Sequence, residues 1–341
     1  MGTVTGAREV AIAVDGGGSK TDVVALDGDG AVLAHARGRG SNPQVAGLPA
    51  AMTVIGDAVT RVRDAVGPHR LVRLGLYLAG LDLPAEIAAF RAALDGEAWA
   101  AGVPDDAVIT DYDLSALLEA GTDSPDAVAV VCGTGINAVG RAADGRTVRF
   151  PALGMISGDW GGGGQLGMQA LWHAARAEDG REPASVLTRL VPELFGLATV
   201  REVTEGLHFG RIPHRRIAEL SPLLFAAAHA GESAALADVA QQAEEVLLLA
   251  TTALRRLDLL DAAVPVVLGG GVLAAGDPLL LDRIRDGLAD RAPRAHLQLV
   301  TAPPIVGAVA LVLRASGAGP DVVARALTEV GRALHPVAAN G

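Results

Sequence analysis

Two glycine-rich segments hold the residues best placed to do chemistry. One reads Asp15-Gly16-Gly17-Gly18-Ser19-Lys20-Thr21, the other Gly133-Thr134-Gly135. Each follows an apolar run (VAIAV before Asp15, VAVVC ending at Cys132) and precedes a second one. A glycine turn between two strands lets backbone N–H groups converge on an anion with no Cβ in the way. Two such turns, one from each half of the chain, could grip a polyphosphate. A third triplet, Gly269-Gly270-Gly271, closes another apolar run. A P-loop would need glycine directly before the lysine and a helix after it. Ser19 and the β-rich DVVAL stand there instead. A hairpin with a purely structural turn is the plain alternative for any one segment, and their threefold recurrence argues against it.

Carboxylates supply the second ingredient. Asp111 and Asp113 end a short strand just ahead of the second glycine turn. A carboxylate there could take a proton from a substrate hydroxyl during phosphoryl transfer. Capping the following helix is the competing role for Asp113. Asp159 lies within Gly154–Gly164, a stretch so rich in glycine that backbone conformation or close approach must demand it. The eight histidines show no ligand spacing. Trp99 and Trp172 read as packing residues, and Cys132 as a small buried strand residue.

The elements that must position these groups follow from periodicity. Strands are expected over 10–37, in three segments, and at 71–79, 108–110, 127–150 (three more), 264–268 and 297–301. Helices are expected over 44–66, 84–101, 114–120, most of 165–260, 277–291, 305–316 and 320–335. Three strands followed by strand–helix alternation, twice over, predict an α/β sheet in each half.

Composition narrows the class. The chain has 341 residues, enough for two cores; half are hydrophobic but only 3% aromatic, so small aliphatics must build those cores. A net charge of −11 argues against nucleic acid or an anionic membrane surface as partner. A single cysteine excludes internal disulfides and suits the cytosol. No long uninterrupted apolar stretch or signal-peptide core is present, so a cytoplasmic protein is expected.

Taken in order, these motifs resemble the sugar-kinase, Hsp70 and actin ATPase superfamily, and more narrowly the BadF/BadG/BcrA/BcrD family. The resemblance spans nearly the whole chain. It rests on the Asp15–Thr21 motif, Gly38-Arg-Gly-Ser-Asn42-Pro-Gln, the Asp113 region, Gly133-Thr-Gly-Ile-Asn137, Gly158-Asp159, Gly269–Gly271 and Pro304-Ile-Val-Gly307-Ala308. It implies two ribonuclease-H-like (actin-like ATPase) domains with a duplicated three-strand β-unit and an interdomain cleft. The domains would span 1–117 and 118–319, with helix 320–338 completing the first. It implies ATP and Mg²⁺ as cofactors, a small-molecule sugar as acceptor, and a homodimer. By position, Asp113 would be the base. Asn42, Asp113, Asn137 and Asp159 would hold the sugar. Gly16, Gly17, Gly18, Ser19, Lys20, Thr21, Gly133, Thr134 and Gly135 would hold phosphates, and Gly269, Gly270 and Gly271 the adenosine. Asp15 would act through water on the metal ion.

Where the family commonly has Gly-Asp-Glu-Gly-Ser, this chain has Gly158-Asp159-Trp160-Gly161-Gly162, and Leu153 replaces an upstream Trp. The altered loop resembles the glucosamine-kinase branch. The expected reaction is therefore phosphorylation of the 6-hydroxyl of D-glucosamine, with Asp159 pairing with the 2-ammonium. An N-acetylglucosamine kinase, a broad hexose kinase and an inactive sugar sensor stay open. A reductase-activating ATPase of the same family would need cluster-binding cysteines that the chain lacks. A sugar-sensing regulator would need a DNA-binding segment ahead of the strand at residue 10.

Overall fold

The run Val10–Val14 becomes the middle of a sheet because it is apolar on both faces and can be covered twice. In a computed structural model describing residues 8–300 and 302–334, the chain divides into two units. The first takes the chain up to Asp123 and again from Val300; the second is Ser124–Leu299.

The first unit holds β1 (Arg8–Gly16), β2 (Lys20–Leu26), β3 (Val32–Arg39), α1 (Pro43–Ala46), α2 (Leu48–Val66), β4 (His69–Leu78), α3 (Pro84–Leu94), β5 (Val108–Tyr112) and α4 (Asp113–Gly121). In the second unit come β6 (Ala127–Cys132), β7 (Ile136–Arg141), β8 (Thr147–Arg149), α5 (Gly162–Glu178), α6 (Leu187–Phe195), α7 (Val200–His208), α8 (Ser221–His229), α9 (Ser233–Arg256), β9 (Pro265–Gly269), α10 (Gly271–Ala274), α11 (Pro278–Arg291) and β10 (His296–Leu299). The chain then returns to the first unit as α12 (Pro304–Ala315) and α13 (Pro320–Leu334).

The duplication expected from the glycine turns is present in the sheets. Strand order is β3-β2-β1-β4-β5 in one unit and β8-β7-β6-β9-β10 in the other. In both, the first three strands form an antiparallel meander and the last two join parallel to the central one. Both units are therefore mixed α/β sheets of one topology.

One face of the first sheet packs against α2 through Ile12, Val14, Ile55, Val59, Leu74 and Leu76. The other face packs Ala11, Ala13 and Tyr77 against Val309, Val312 and Ala116, from α12 and α4. That second face explains where the chain divides. The sequence reading carried the second domain to residue 319, but α12 buries its apolar side on β1 and α4. The second unit accordingly ends at Leu299. Helix α13 joins the same cluster through Val323, Ala326 and Val330. Residues 335–338 of the expected last helix, and Thr301 of the strand expected over 297–301, lie outside the described residues.

Smaller departures have local causes. The helix expected over 44–66 breaks at Gly47, whose φ of 82° is unsuited to a continuous helix. The helix expected over 84–101 stops at Leu94 and resumes as one 3₁₀ turn at Ala98–Ala100. Among the described residues, no helix is long and apolar enough to cross a membrane.

Candidate active site

In the first unit, the candidate residues collect at the carboxyl ends of the parallel strands β1, β4 and β5, where open α/β sheets bind ligands. Register sets Arg37, Asp22, Asp15, Tyr77 and Asp111 in one row across β3, β2, β1, β4 and β5. The first glycine turn follows Asp15, closed by Gly17 N–H donating to the Lys20 carbonyl (2.8 Å). The Gly38–Asn42 segment packs on that turn. Ser41 N–H donates to the Gly17 carbonyl (3.0 Å), and the Thr21 and Ser41 hydroxyls lie 2.8 Å apart.

Asp15 is buried, and its carboxyl is pushed up to about 8 by burial, with Asp113 and Asp22 adding to the rise and Lys20 opposing it. Asp113 is the first residue of α4 and keeps a partial opening to solvent. Burial among protein atoms, then the negative charges of Asp82 and Asp111, raise its carboxyl to about 7, while its own N–H and that of Leu114 hold it down. That value is well matched to proton transfer near neutral pH.

The two aspartates that sequence left as rivals are distinct here. Asp111 accepts from Tyr112 N–H (2.9 Å) and from the Ser115 hydroxyl (2.7 Å), so its carboxylate braces the start of α4. Both carboxylates therefore contact the start of α4, Asp111 through Tyr112 N–H and the Ser115 hydroxyl and Asp113 through its own and Leu114 N–H groups. Asn42 is spent in part on capping: its Oδ1 accepts from Gln44 N–H (2.8 Å) at the start of α1. Lys20 directs its ammonium at Asp22, 3.2 Å away.

In the second unit, three glycine segments converge. Gly163 N–H donates to the Gly133 carbonyl (2.7 Å), and Gly164 N–H to the Thr134 carbonyl (2.8 Å). The start of α5 is thereby docked on the second glycine turn. A Cβ on Gly162 would sit 2.5 Å from the Gly135 carbonyl carbon, and one on Gly270 would sit 2.5 Å from Cys132 backbone atoms. Both residues also have φ above +80°, so close approach and backbone conformation each demand glycine. The reading that placed the helix after the glycines is corrected, since Gly162–Gly164 form its first turn. Gly269 ends β9, and Gly271 begins α10.

Asn137 is buried on β7 opposite Val131, with its Oδ1 accepting from Ala138 N–H (2.7 Å). Asp159 accepts from the Ser157 hydroxyl. Trp160 is partly buried and packs against the hydrophobic core of the unit. Glu245 of α9 is raised by burial and then by the charges of Glu244 and Asp159, so Asp159 lies within electrostatic reach of α9. Burial pushes the Cys132 thiol up to about 12, which suits a core residue and not a nucleophile. Trp99 packs as expected, whereas Trp172 is half exposed with the Arg176 guanidinium over its ring.

Sequence reading missed Gln242. It is fully buried on α9, and its Oε1 accepts from Gly162 N–H (2.8 Å), tying α9 to the glycine junction. An amide inside an apolar helical pattern gives no local signal of such a contact.

Residues 12–315 match the BadF/BadG/BcrA/BcrD ATPase family. The chain belongs to that family. Among curated relatives of this ATPase-family chain, N-acetyl-D-glucosamine kinase of Dictyostelium discoideum is 26% identical over 321 residues, covering 90% of this chain and 98% of that protein. N-acetylmuramic acid/N-acetylglucosamine kinase of Clostridium acetobutylicum is 24% identical over 166 residues, about half of each chain (49% and 54%). A crystal structure of a Chromobacterium violaceum protein assigned as an N-acetylglucosamine kinase superposes with a TM-score of 0.64 at 25% identity, covering 90% and 99% of the two chains. The fold is shared with a ROK family glucokinase from Streptomyces griseus, solved with glucose and AMPPNP (TM-score 0.52, 17% identity, 89% and 98% covered).

As a family member the chain should use a divalent metal with its nucleotide. Among the described residues, no three His, Cys, Asp or Glu side chains gather to cage an ion. The buried Asp15 carboxyl beside the first glycine turn is an oxygen donor of the kind Mg²⁺ takes while it keeps most of its waters.

Proposed function

We propose that this protein is an ATP-dependent amino-hexose kinase in which Asp113 is the base. The observation that carries the reading is the placement of Asp113 at the carboxyl end of β5, on the first turn of α4, with its carboxyl raised to about 7. There it can accept the proton of an acceptor hydroxyl as that oxygen takes the γ-phosphoryl group. The glycine turn after β1 would present N–H groups to the phosphates. Within the second unit, the junction of Gly133–Gly135 with Gly162–Gly164 and Gly270 offers backbone groups suited to phosphate and adenosine. Asp15 is the residue that would hold Mg²⁺ through water; when bound, the ion neutralises charge between the β- and γ-phosphates.

The 6-hydroxyl of an amino sugar is the acceptor this reading commits to. N-acetylglucosamine is supported by the names of the relatives that match along most of the chain. Free glucosamine is the second reading. It rests on Asp159, a carboxylate in the glycine-rich loop whose charge reaches the partly buried Glu245 of α9, a setting suited to a 2-ammonium. A homodimer and a cytoplasmic setting belong to the same proposal.

The test is coupled ADP release measured across N-acetylglucosamine, glucosamine, glucose and mannosamine. No sugar-dependent ADP release from any of them would overturn the kinase reading. A preference for glucosamine that shrinks in Asp159→Asn would select the second reading over the first.

A further inference from the structure

Lys20 is the single lysine in a chain whose lysines and arginines total 28. Everywhere else the basic residue is arginine, so this position stands apart chemically. Arginine offers a rigid fork that locks onto a carboxylate; lysine is a compact point charge on a flexible stem with rotatable donors. The neighbourhood shows both behaviours at once. Asp22, buried with no solvent exposure, is held by the Arg37 fork through Nε to Oδ1 (2.7 Å) and Nη2 to Oδ2 (3.0 Å). His35 Nε2 lies 3.1 Å from Oδ1. The Lys20 ammonium, 3.2 Å from Oδ2, is the longest of the four contacts.

Charge accounting makes Lys20 a surplus partner. Arg37 alone contacts both carboxylate oxygens, so departure of Lys20 leaves no buried oxygen stripped of a donor. The Lys20 backbone, meanwhile, is fixed at the mouth of the glycine turn by Gly17 N–H. Its side chain is 40% exposed and so is free to leave.

We infer that Asp22 is a positioning residue that docks the Lys20 ammonium beside the first glycine turn, and that Arg37, by satisfying Asp22, lets the ammonium exchange onto the phosphates of a bound nucleotide. This rests on the nucleotide-binding reading above and adds the device that readies its cation. Arg37 lies on β3, outside the glycine turn, and would act only through Asp22 and Lys20.

A unique lysine makes the exchange directly observable. Protein grown with lysine labelled with ¹³C at the ε carbon gives one ε signal. In the wild type that signal should move on adding Mg-ATP or inorganic tripolyphosphate and stay in place with adenosine. Arg37→Met leaves Lys20 as the cation on Oδ2, so the ammonium should be locked there and ATP affinity should fall about tenfold, the worth of one charge-assisted contact, with adenosine affinity unchanged. Lys20→Arg keeps the charge but should also lose ATP affinity, because a second fork would stay on Asp22. A purely structural role for Arg37 would lower thermal stability and leave the ATP-to-adenosine affinity ratio as in the wild type. If ATP binds while the ε signal stays fixed, or the Arg37→Met ratio is unaltered, this inference falls and the kinase reading stands. If neither ATP nor tripolyphosphate binds the wild type at millimolar concentration, both fall together.

Discussion

Replacing Asp15 by asparagine should stabilise the first unit, and increasingly so as pH rises. The carboxyl titrates at 3.8 when unfolded and at about 8 in the fold, chiefly because burial disfavours the charged form. The folded state therefore binds more protons than the unfolded chain between those values, and folding stability falls as pH rises through that window. Each pH unit costs roughly 1.4 kcal/mol, so at pH 7, about three units above the unfolded value, the ceiling is about 4 kcal/mol. Relaxation around the carboxylate and attraction to Lys20 reduce this, and a gain of about 2 kcal/mol is the working expectation. Asparagine is nearly isosteric and carries no charge, so the penalty vanishes. The variant and the wild type should be equally stable near pH 4 and diverge by pH 7.5. Urea unfolding at both pH values, with hydrogen exchange of peptides covering β1 and β4 to isolate this unit, gives the comparison. A stability difference independent of pH, or a variant less stable at pH 7.5, would refute the electrostatic reasoning.

Asp113→Asn should lower kcat by about 10²–10⁴-fold while ATP binding by calorimetry is retained, since a positioned base contributes on that scale. Asp111→Asn should keep most activity and cost about 1 kcal/mol of stability, as expected for a lost helix brace; loss of turnover in Asp111→Asn alone would reverse the two roles. In the wild type, kcat/KM should rise with pH on a limb near 7 as Asp113 ionises, and a rate flat from pH 5.5 to 8.5 would exclude it as the titrating base. Gly162→Ala and Gly270→Ala each force a Cβ onto backbone 2.5 Å away, so each should lower the melting temperature and weaken nucleotide binding; wild-type behaviour in both would contradict the junction geometry.

How far the sequence reaches depends on the range of the signal. Apolar runs, turn glycines and helix periodicity are local, and they located nearly every strand and the duplication relating the two sheets. The triplet at Gly269–Gly271 and the Gly-Asp pair at 158–159 were legible for the same reason. What lay beyond reach was any role set by a distant partner. Asp111 and Asp113 have the same side chain two positions apart, and only the first turn of α4 directs one to Ser115 and leaves the other at the open edge. Likewise Gln242 acquires its function from Gly162, eighty positions away in the chain.

From its residues alone, this protein is a duplicated α/β chain with paired glycine turns, because strand alternation and the absence of a Cβ act within a few positions of themselves. Tertiary structure decided that α12 closes the first unit, that Asp15 and Asp113 share one edge and are raised together, and that Lys20 rests on an Asp22 already satisfied by Arg37. Those outcomes depend on burial and on charges brought close by β-sheet register and packing, quantities that come into being only when the chain has folded.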